Sequence, residues 1–422
     1  MRSRSGAAAI NGPTVNSTGI RQRGASRRKL GFLLLGVLVG LGGMEGALRW
    51  LVPASTQFFV NPPRLTRWFQ PLPDIMPGIK GPAHVTTNSL GLRGRELDTT
   101  APQEFRILAI GGSTTECLYL DDAATWPALV EQILTRRRGG EPVWVGNAGT
   151  SGMNTRDNVL HAKYLLQQYP RIDVVLALVG INDLTVRLSA GSDYHVRPPV
   201  TSNGEEAMQI RRAFARAPSR LSDTPTDWQA PVTAPWYKKT AVYQLLKRLR
   251  ERASSAMASR GLRQDEEGKI YEVWREHRHS ASVIKDELPD LTSALDEYAR
   301  NLNLIIDFVQ AAGSRPVLMT QPTLWRPDLG PEGERLLWLG GEGRFMEERG
   351  HAYYSVGALA KAMAAYNRRL LEVCAARRID CIDLAREVPA TLEMFYDDAH
   401  FTEKGAQHVA KVVSDHLTEM AP

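Results

Sequence analysis

Between Leu30 and Met44 the chain carries no polar side chain, and its apolar character continues to Val52, broken only by Glu45 and Arg49. The uninterrupted part is short for a bilayer span, which needs about 20 apolar residues, and it fits the apolar core of a signal peptide. Taken over 30–52 the run is long enough for a helix that crosses a membrane, with Arg49 reaching for the far interface. An uncleaved signal anchor is preferred to a cleaved peptide, because the small-residue site at Val52-Pro53-Ala54 lies far from the end of the apolar run. Ser26-Arg27-Arg28-Lys29-Leu30 has a faint likeness to a twin-arginine export signal.

After this segment the pattern changes twice. Residues 53–104 are proline-rich with few apolar runs and read as a loop-rich lead-in, with one hairpin expected around Val85 to Leu92. From Phe105 short apolar runs alternate with stretches of helical spacing. Strands are predicted at 105–110, 142–145, 172–179, 315–319 and 379–383, and helices at 126–138, 156–168, 291–312, 356–376 and 403–417. Strands alternating with helices imply parallel pairing with helices on both faces, a doubly wound three-layer α/β/α domain with a five-stranded sheet over 105–422. The rhythm breaks at 187–289, a segment rich in Pro, Arg and Glu with an amphipathic stretch at 241–249. An insert of this length reads as a lid or specificity subdomain, or else as a surface excursion without structure.

The formal net charge is +6, which invites a nucleic-acid reading. However, the first thirty residues hold seven basic side chains and no acidic one, so the body of the chain is close to neutral and no basic face is implied. The tail, 1–29, reads as disordered and cytoplasmic, since positive charge stays inside. Cys117, Cys374 and Cys381 lack zinc spacing and are too few for a disulfide framework. They are expected as small buried hydrophobes, although Cys374 and Cys381 would pair if a helix end and the next strand met.

Four polar blocks fall where strands end, and in open parallel sheets ligands sit beyond the carboxyl ends of strands. Gly111-Gly112-Ser113 places a serine at a strand-to-helix turn, where it is either a nucleophile or an ordinary helix cap. The small-residue loop 147–154 contains Gly149 and Gly152, each able to turn a backbone N–H into a site. In Gly180-Ile181-Asn182-Asp183 the Asn182 amide suits an oxyanion, and Asp183 suits backbone N–H groups that hold the loop. Asp397 and His400 stand three apart, so the carboxylate can fix the imidazole tautomer; a metal pair or a surface pair would look the same.

In their order along the chain, these blocks resemble the SGNH (GDSL-like) hydrolase superfamily, over about Phe105 to Leu417 apart from the insert. The resemblance implies Ser113 as nucleophile, His400 as general base and Asp397 as its orienting acid, with Asp398 a poorer fit to the spacing. It implies an oxyanion hole of the Ser113 and Gly152 N–H groups and the Asn182 amide, with Gly149 as the fallback. It implies no metal and no organic cofactor. The usual Gly-Asp-Ser is here Gly111-Gly112-Ser113, a form similar to the membrane-anchored bacterial branch. An α/β-hydrolase is excluded, because Ser113 lacks the second glycine of Gly-x-Ser-x-Gly and acid and base share one tetrapeptide.

The expected activity is an inner-membrane, periplasm-facing serine esterase acting on O-acyl groups, acetyl among them, of a cell-envelope glycan or lipid. The alternatives are an O-acyltransferase using the same residues and a non-catalytic glycan-binding module on the same fold. Among lesser candidates, His161, His195, His277, His279, His351 and His408 read as solvated or core residues. Cys117 is expected to pack beneath the site, and Glu116 to be a helix-start carboxylate. Trp126 reads as core, while Trp325 and Trp338 are candidates for the floor of a sugar or acyl pocket.

Overall fold

The computed structural model describes residues 18–51, 58–101, 104–200, 215–216, 240, 242–243 and 266–419. Five apolar runs pair in parallel: β1 (Phe105–Gly111), β2 (Val143–Gly149), β3 (Val174–Leu178), β4 (Arg315–Met319) and β5 (Asp380–Ile382). Their spatial order is β5-β4-β3-β1-β2. The chain leaves β1 to one side for β2 and returns on the other for β3, so the winding reverses beside β1. That is the switch point beyond which crevices open in such sheets. The register keeps the rim level there, with Gly111 opposite Gly149 on one flank and Leu178 on the other.

β2 and β3 are buried along their whole length and β1 along nearly all of it, as strands covered on both faces must be. The helices form two packed groups: α3 (Trp126–Arg137) with α9 (Glu403–Glu419), and α4 (Thr155–Leu160), α5 (Ile181–Ala190) and α7 (Thr292–Ala311) with α8 (Val356–Arg377). Burying an aliphatic side chain such as Leu176 or Ile107 contributes about 1.5–3 kcal/mol, so the sheet is the stable frame on which the rim is built.

Several elements differ from expectation. α1 (Thr18–Leu51) begins inside the basic tail, so 18–29 are helical rather than disordered; residues 1–17 lie outside the described residues. Gly31–Leu48 is apolar and long enough to be a membrane span or a signal sequence. The hairpin expected at 85–92 is present as a tight turn closed by an antiparallel bridge between Thr87 and Arg93, and Ala83–Thr86 ahead of it pairs antiparallel with Thr66–Phe69, a strand the pattern hides because only Phe69 is buried. Beyond it Asn88 accepts from the Leu90 and Leu92 N–H groups to make a turn, and Arg93 bridges to Asn147 of β2. Apart from 242–243 the insert's amphipathic stretch lies outside the described residues, as does most of 201–265, but towards its end the insert forms a helix, α6 (Lys269–His279). Cys374 in α8 and Cys381 in β5 form a disulfide, with Cα atoms 6.3 Å apart, instead of remaining separate thiols.

Candidate active site

Ser113 is the first residue of a single helical turn, α2 (Ser113–Glu116), directly after β1. The residue before it packs closely against Asn182: a Cβ on Gly112 would lie 2.3 Å from Nδ2 of Asn182 and 3.2 Å from the Met153 carbonyl, so a side chain there would displace the amide. Asn182 opens α5 instead of sitting in a plain turn, and its amide donates to the Met153 carbonyl at 2.8 Å. One amide proton of Asn182 therefore locks it to the 150–154 loop while the group sits against the backbone just ahead of Ser113.

The segment 395–401 brings the other two groups in. His400 Nε2 lies 2.7 Å from Ser113 Oγ, and Nδ1 lies 2.7 Å from Asp397 Oδ2. Asp397 is fully buried, and its other oxygen accepts from the Ala399 and His400 backbone N–H groups at 3.0 and 2.8 Å. Burial works against its charge, but the facing imidazole and the hydrogen bonds from His400 and Trp338 more than offset this and hold the carboxyl below its ordinary value. Burial likewise opposes the charged form of His400, yet the Asp397 carboxylate prevails and raises the imidazole. A base kept basic in a water-poor site, hydrogen-bonded to a hydroxyl, can take a proton from that hydroxyl.

Asp398 turns away from His400. It accepts from the Trp325 indole at 2.7 Å and from the Trp338 and Leu339 backbone N–H groups, facing Arg278. Burial and the neighbouring Asp397 raise its carboxyl. Gly149 and Gly152 separate in the same way. The Gly149 N–H donates to Asn147 Oδ1 at 2.9 Å, which takes it out of service, whereas Gly152 sits exposed at φ 82° next to Met153. Asp183 holds this loop, accepting from the Thr155 N–H and hydroxyl, and burial pushes it up to about 7. Glu116 accepts from Ser151 N–H and hydroxyl and so pins the loop from the other side; burial raises it.

Sequence reasoning missed how the site is walled. Trp338 and Trp325 do not floor an open pocket: both are buried, and the Trp338 indole donates to the same Asp397 oxygen that faces His400, at 2.9 Å. Tyr271 from α6 packs edge-on to His400, with ring centroids 6.0 Å apart. Arg275, also on α6, donates to the carbonyls of Ile75, Leu336 and Tyr396 and joins lead-in, insert and the 395–401 segment. Cys117, Tyr119, Leu120, Tyr396 and Phe401 enclose a cavity of about 10 Å³ against Ser113 and His400, room for roughly one water-sized group. The buried Cys117 thiol is pushed up to about 12 by burial, so it stays neutral beside the serine. Trp126 is core, as expected, and its indole donates to the Thr114 carbonyl. His277 and His408 face the carbonyls of Phe345 and Glu387, away from this cluster.

The model of the GDSL-like Lipase/Acylhydrolase family matches residues 109–408. No curated protein matches the chain in sequence. Solved structures similar to it include a lipolytic protein of the G-D-S-L family from Desulfitobacterium hafniense DCB-2, at 9% identity and TM-score 0.35, covering 74% of this chain and 99% of that one. A catalytic mutant of Axe2, an acetylxylan esterase from Geobacillus stearothermophilus, gives 13%, 0.37, 75% and 94%. LAE5, an alpha/beta hydrolase enzyme from the metagenome of Lake Arreo, gives 13%, 0.37, 76% and 98%. Scores this low carry no argument, and the sequence match is the finding with weight.

Proposed function

Because the chain belongs to the GDSL-like lipase/acylhydrolase family and is an ester hydrolase of the SGNH type, we propose that Ser113 is its nucleophile, His400 its general base and Asp397 the carboxylate that orients that base. The observation that carries this reading is the unbroken line of two 2.7 Å contacts, Ser113 Oγ to His400 Nε2 and His400 Nδ1 to Asp397 Oδ2. With Asp397 ionised, the imidazole proton resides on Nδ1 and Nε2 accepts.

Ser113 Oγ attacks the ester carbonyl carbon as its proton passes to Nε2. The carbonyl oxygen takes up the charge, facing the Ser113 and Gly152 N–H groups and the Asn182 amide, where each donor is worth about 3–4 kcal/mol in comparable sites. Collapse breaks the bond to the alcohol, which leaves with the proton from Nε2. Water then gives a proton to Nε2 as it attacks the acyl-serine; collapse breaks the bond to Ser113 Oγ, which takes that proton back from Nε2, and the carboxylic acid leaves. We read the acyl group as short, acetyl foremost, because the cavity beside Ser113 is small, and we take its alcohol to be an envelope glycan or lipid from the location proposed below.

We place the catalytic domain in the periplasm, held by α1 as a single-pass inner-membrane anchor. The basic tail favours the cytoplasmic side for the N-terminus. The Cys374–Cys381 disulfide supports an oxidising compartment for the body. The insert, 187–289, is read as a specificity element, since its α6 walls His400. Labelling of the full chain with a fluorophosphonate, mapped to the modified peptide, should mark Ser113. Hydrolysis of p-nitrophenyl acetate should vanish in Ser113→Ala; turnover in the wild type no higher than in that variant would overturn the reading in favour of a binding module.

A further inference from the structure

α2 is a single turn, and a helix end leaves its carbonyls without intrahelical partners. Here each of those carbonyls is taken by a donor from elsewhere. The Thr114 carbonyl accepts from the Trp126 indole, and the Thr115 carbonyl from the Asn147 amide at 2.8 Å. The carbonyls of Glu116 and Cys117 both accept from Nη1 of Arg93, each at 2.8 Å, and Nη2 of the same guanidinium donates to the Leu120 carbonyl. Its Nε completes the fork on Asp122 Oδ1 at 2.6 Å. Arg93 is only 4% exposed, and its backbone is fixed by a two-way bridge to Asn147. It comes from the lead-in, before the first residue that the family model matches.

The turn so held is not one that a chain keeps without help. Cys117 ends α2 at φ 54° and ψ 48°, a left-handed conformation unusual for a residue with a side chain. Arg93 clasps the carbonyls on both sides of that bend. A cation at the carbonyl end of the turn also suits the local dipole. The same fork reaches the 117–120 segment, whose Cys117, Tyr119 and Leu120 line the cavity beside Ser113.

Resting on the assignment of Ser113 as nucleophile, we infer that Arg93 is a positioning residue of the esterase: its guanidinium sets the height and direction of the Ser113 turn against His400 and shapes the acyl cavity. The lead-in is on this account part of the catalytic unit and not a spacer. A lysine keeps the charge but cannot span three carbonyls and a carboxylate, since it presents a point charge and not a planar fork.

The test uses the full chain in detergent, comparing the wild type with Arg93→Lys and Arg93→Ala. Measured are p-nitrophenyl acetate turnover, the rate of fluorophosphonate labelling at Ser113 and thermal unfolding. The expected result is a fall in kcat of about 10²-fold, the loss typical of a misplaced reacting group, with KM within about twofold. Labelling should slow in parallel, and added guanidinium should restore part of the Arg93→Ala rate. A folded Arg93→Lys protein with wild-type kcat and labelling would overturn the inference. So would a loss confined to KM, or failure of both variants to fold, which would make Arg93 a residue of the fold alone. A wild type that resists labelling would instead sink the nucleophile assignment, and this inference with it.

Discussion

The rim of the sheet and the shell around it were built by different means. At the rim, Ser113, Asn182 and the 147–154 loop follow the ends of β1, β3 and β2, and the Asp397–His400 pair lies in one tetrapeptide. Their placement follows from strand order and register, and each block is local in sequence. The shell comes from 58–101, from α6 and from the 325–345 segment, and it acts through single long side chains that reach across the fold. Arg93, Arg275 and Trp338 each bond groups at least 23 residues away in sequence. On the proposed assignment the rim supplies the reacting atoms, and the shell holds them in place.

If that division is right, damage should be graded. Ser113→Ala or His400→Ala should lower kcat by about 10⁴–10⁶-fold in ester hydrolysis, with the two losses not adding in the double variant. An additive double variant would separate the two groups functionally. Next, Asn182→Ala should lower kcat by about 10²–10³-fold while KM changes little, because the amide meets charge only as it develops.

Shell changes should cost less and alter the profile. Trp338→Phe removes a hydrogen bond to the charged Asp397 and should lower kcat/KM by about tenfold. In the wild type the acid limb of kcat/KM should lie above the ordinary imidazole value of about 6.5, since only neutral His400 accepts the serine proton and its pKa is raised. With its indole partner gone, Asp397 becomes more basic and draws the imidazole proton harder, so that limb should move to still higher pH. Leu120→Ala opens the cavity and should improve butyrate relative to acetate by roughly tenfold, read as a ratio of kcat/KM values.

The last effect concerns stability and not rate. Burial pushes Asp183 up to about 7, so from about pH 4 to 7 the folded chain keeps a proton that the unfolded chain has released. Stability should therefore fall as pH rises through that window and level off above it. Asp183→Asn should flatten the slope in thermal unfolding; an unchanged slope would assign the titration to another group.

How far the sequence could be read follows the same line. The strands at 105–110 and 315–319 and the long helices were legible because burial imposes a period on the residues. The four polar blocks stand out because they fall at strand ends, but each is ambiguous alone, and only their order along the chain carries the resemblance to the SGNH hydrolases. Strand 66–69 was not legible, since the burial of Phe69 alone makes no pattern. Nor was the task of Arg93: one arginine in a loop carries no sign of which carbonyls it will meet. Trp338 stands out in the sequence as an aromatic, yet in the fold its indole N–H, donated to Asp397, matters more than its ring face. The Cys374–Cys381 pair depended on a helix end meeting a strand, which spacing alone leaves open.

Finally, the length of α1 has a mechanical meaning. Its 34 residues make a rod of about 51 Å, whereas a bilayer's hydrocarbon core is about 30 Å thick. Six residues separate Leu51 from Phe58, which bounds the distance between those two at roughly 25 Å. If α1 sits in a bilayer, the enzyme patrols a thin layer above it and meets its substrates by gliding in two dimensions. Esters anchored in or lying against that layer are then within reach, and those deeper in the compartment have to come to it.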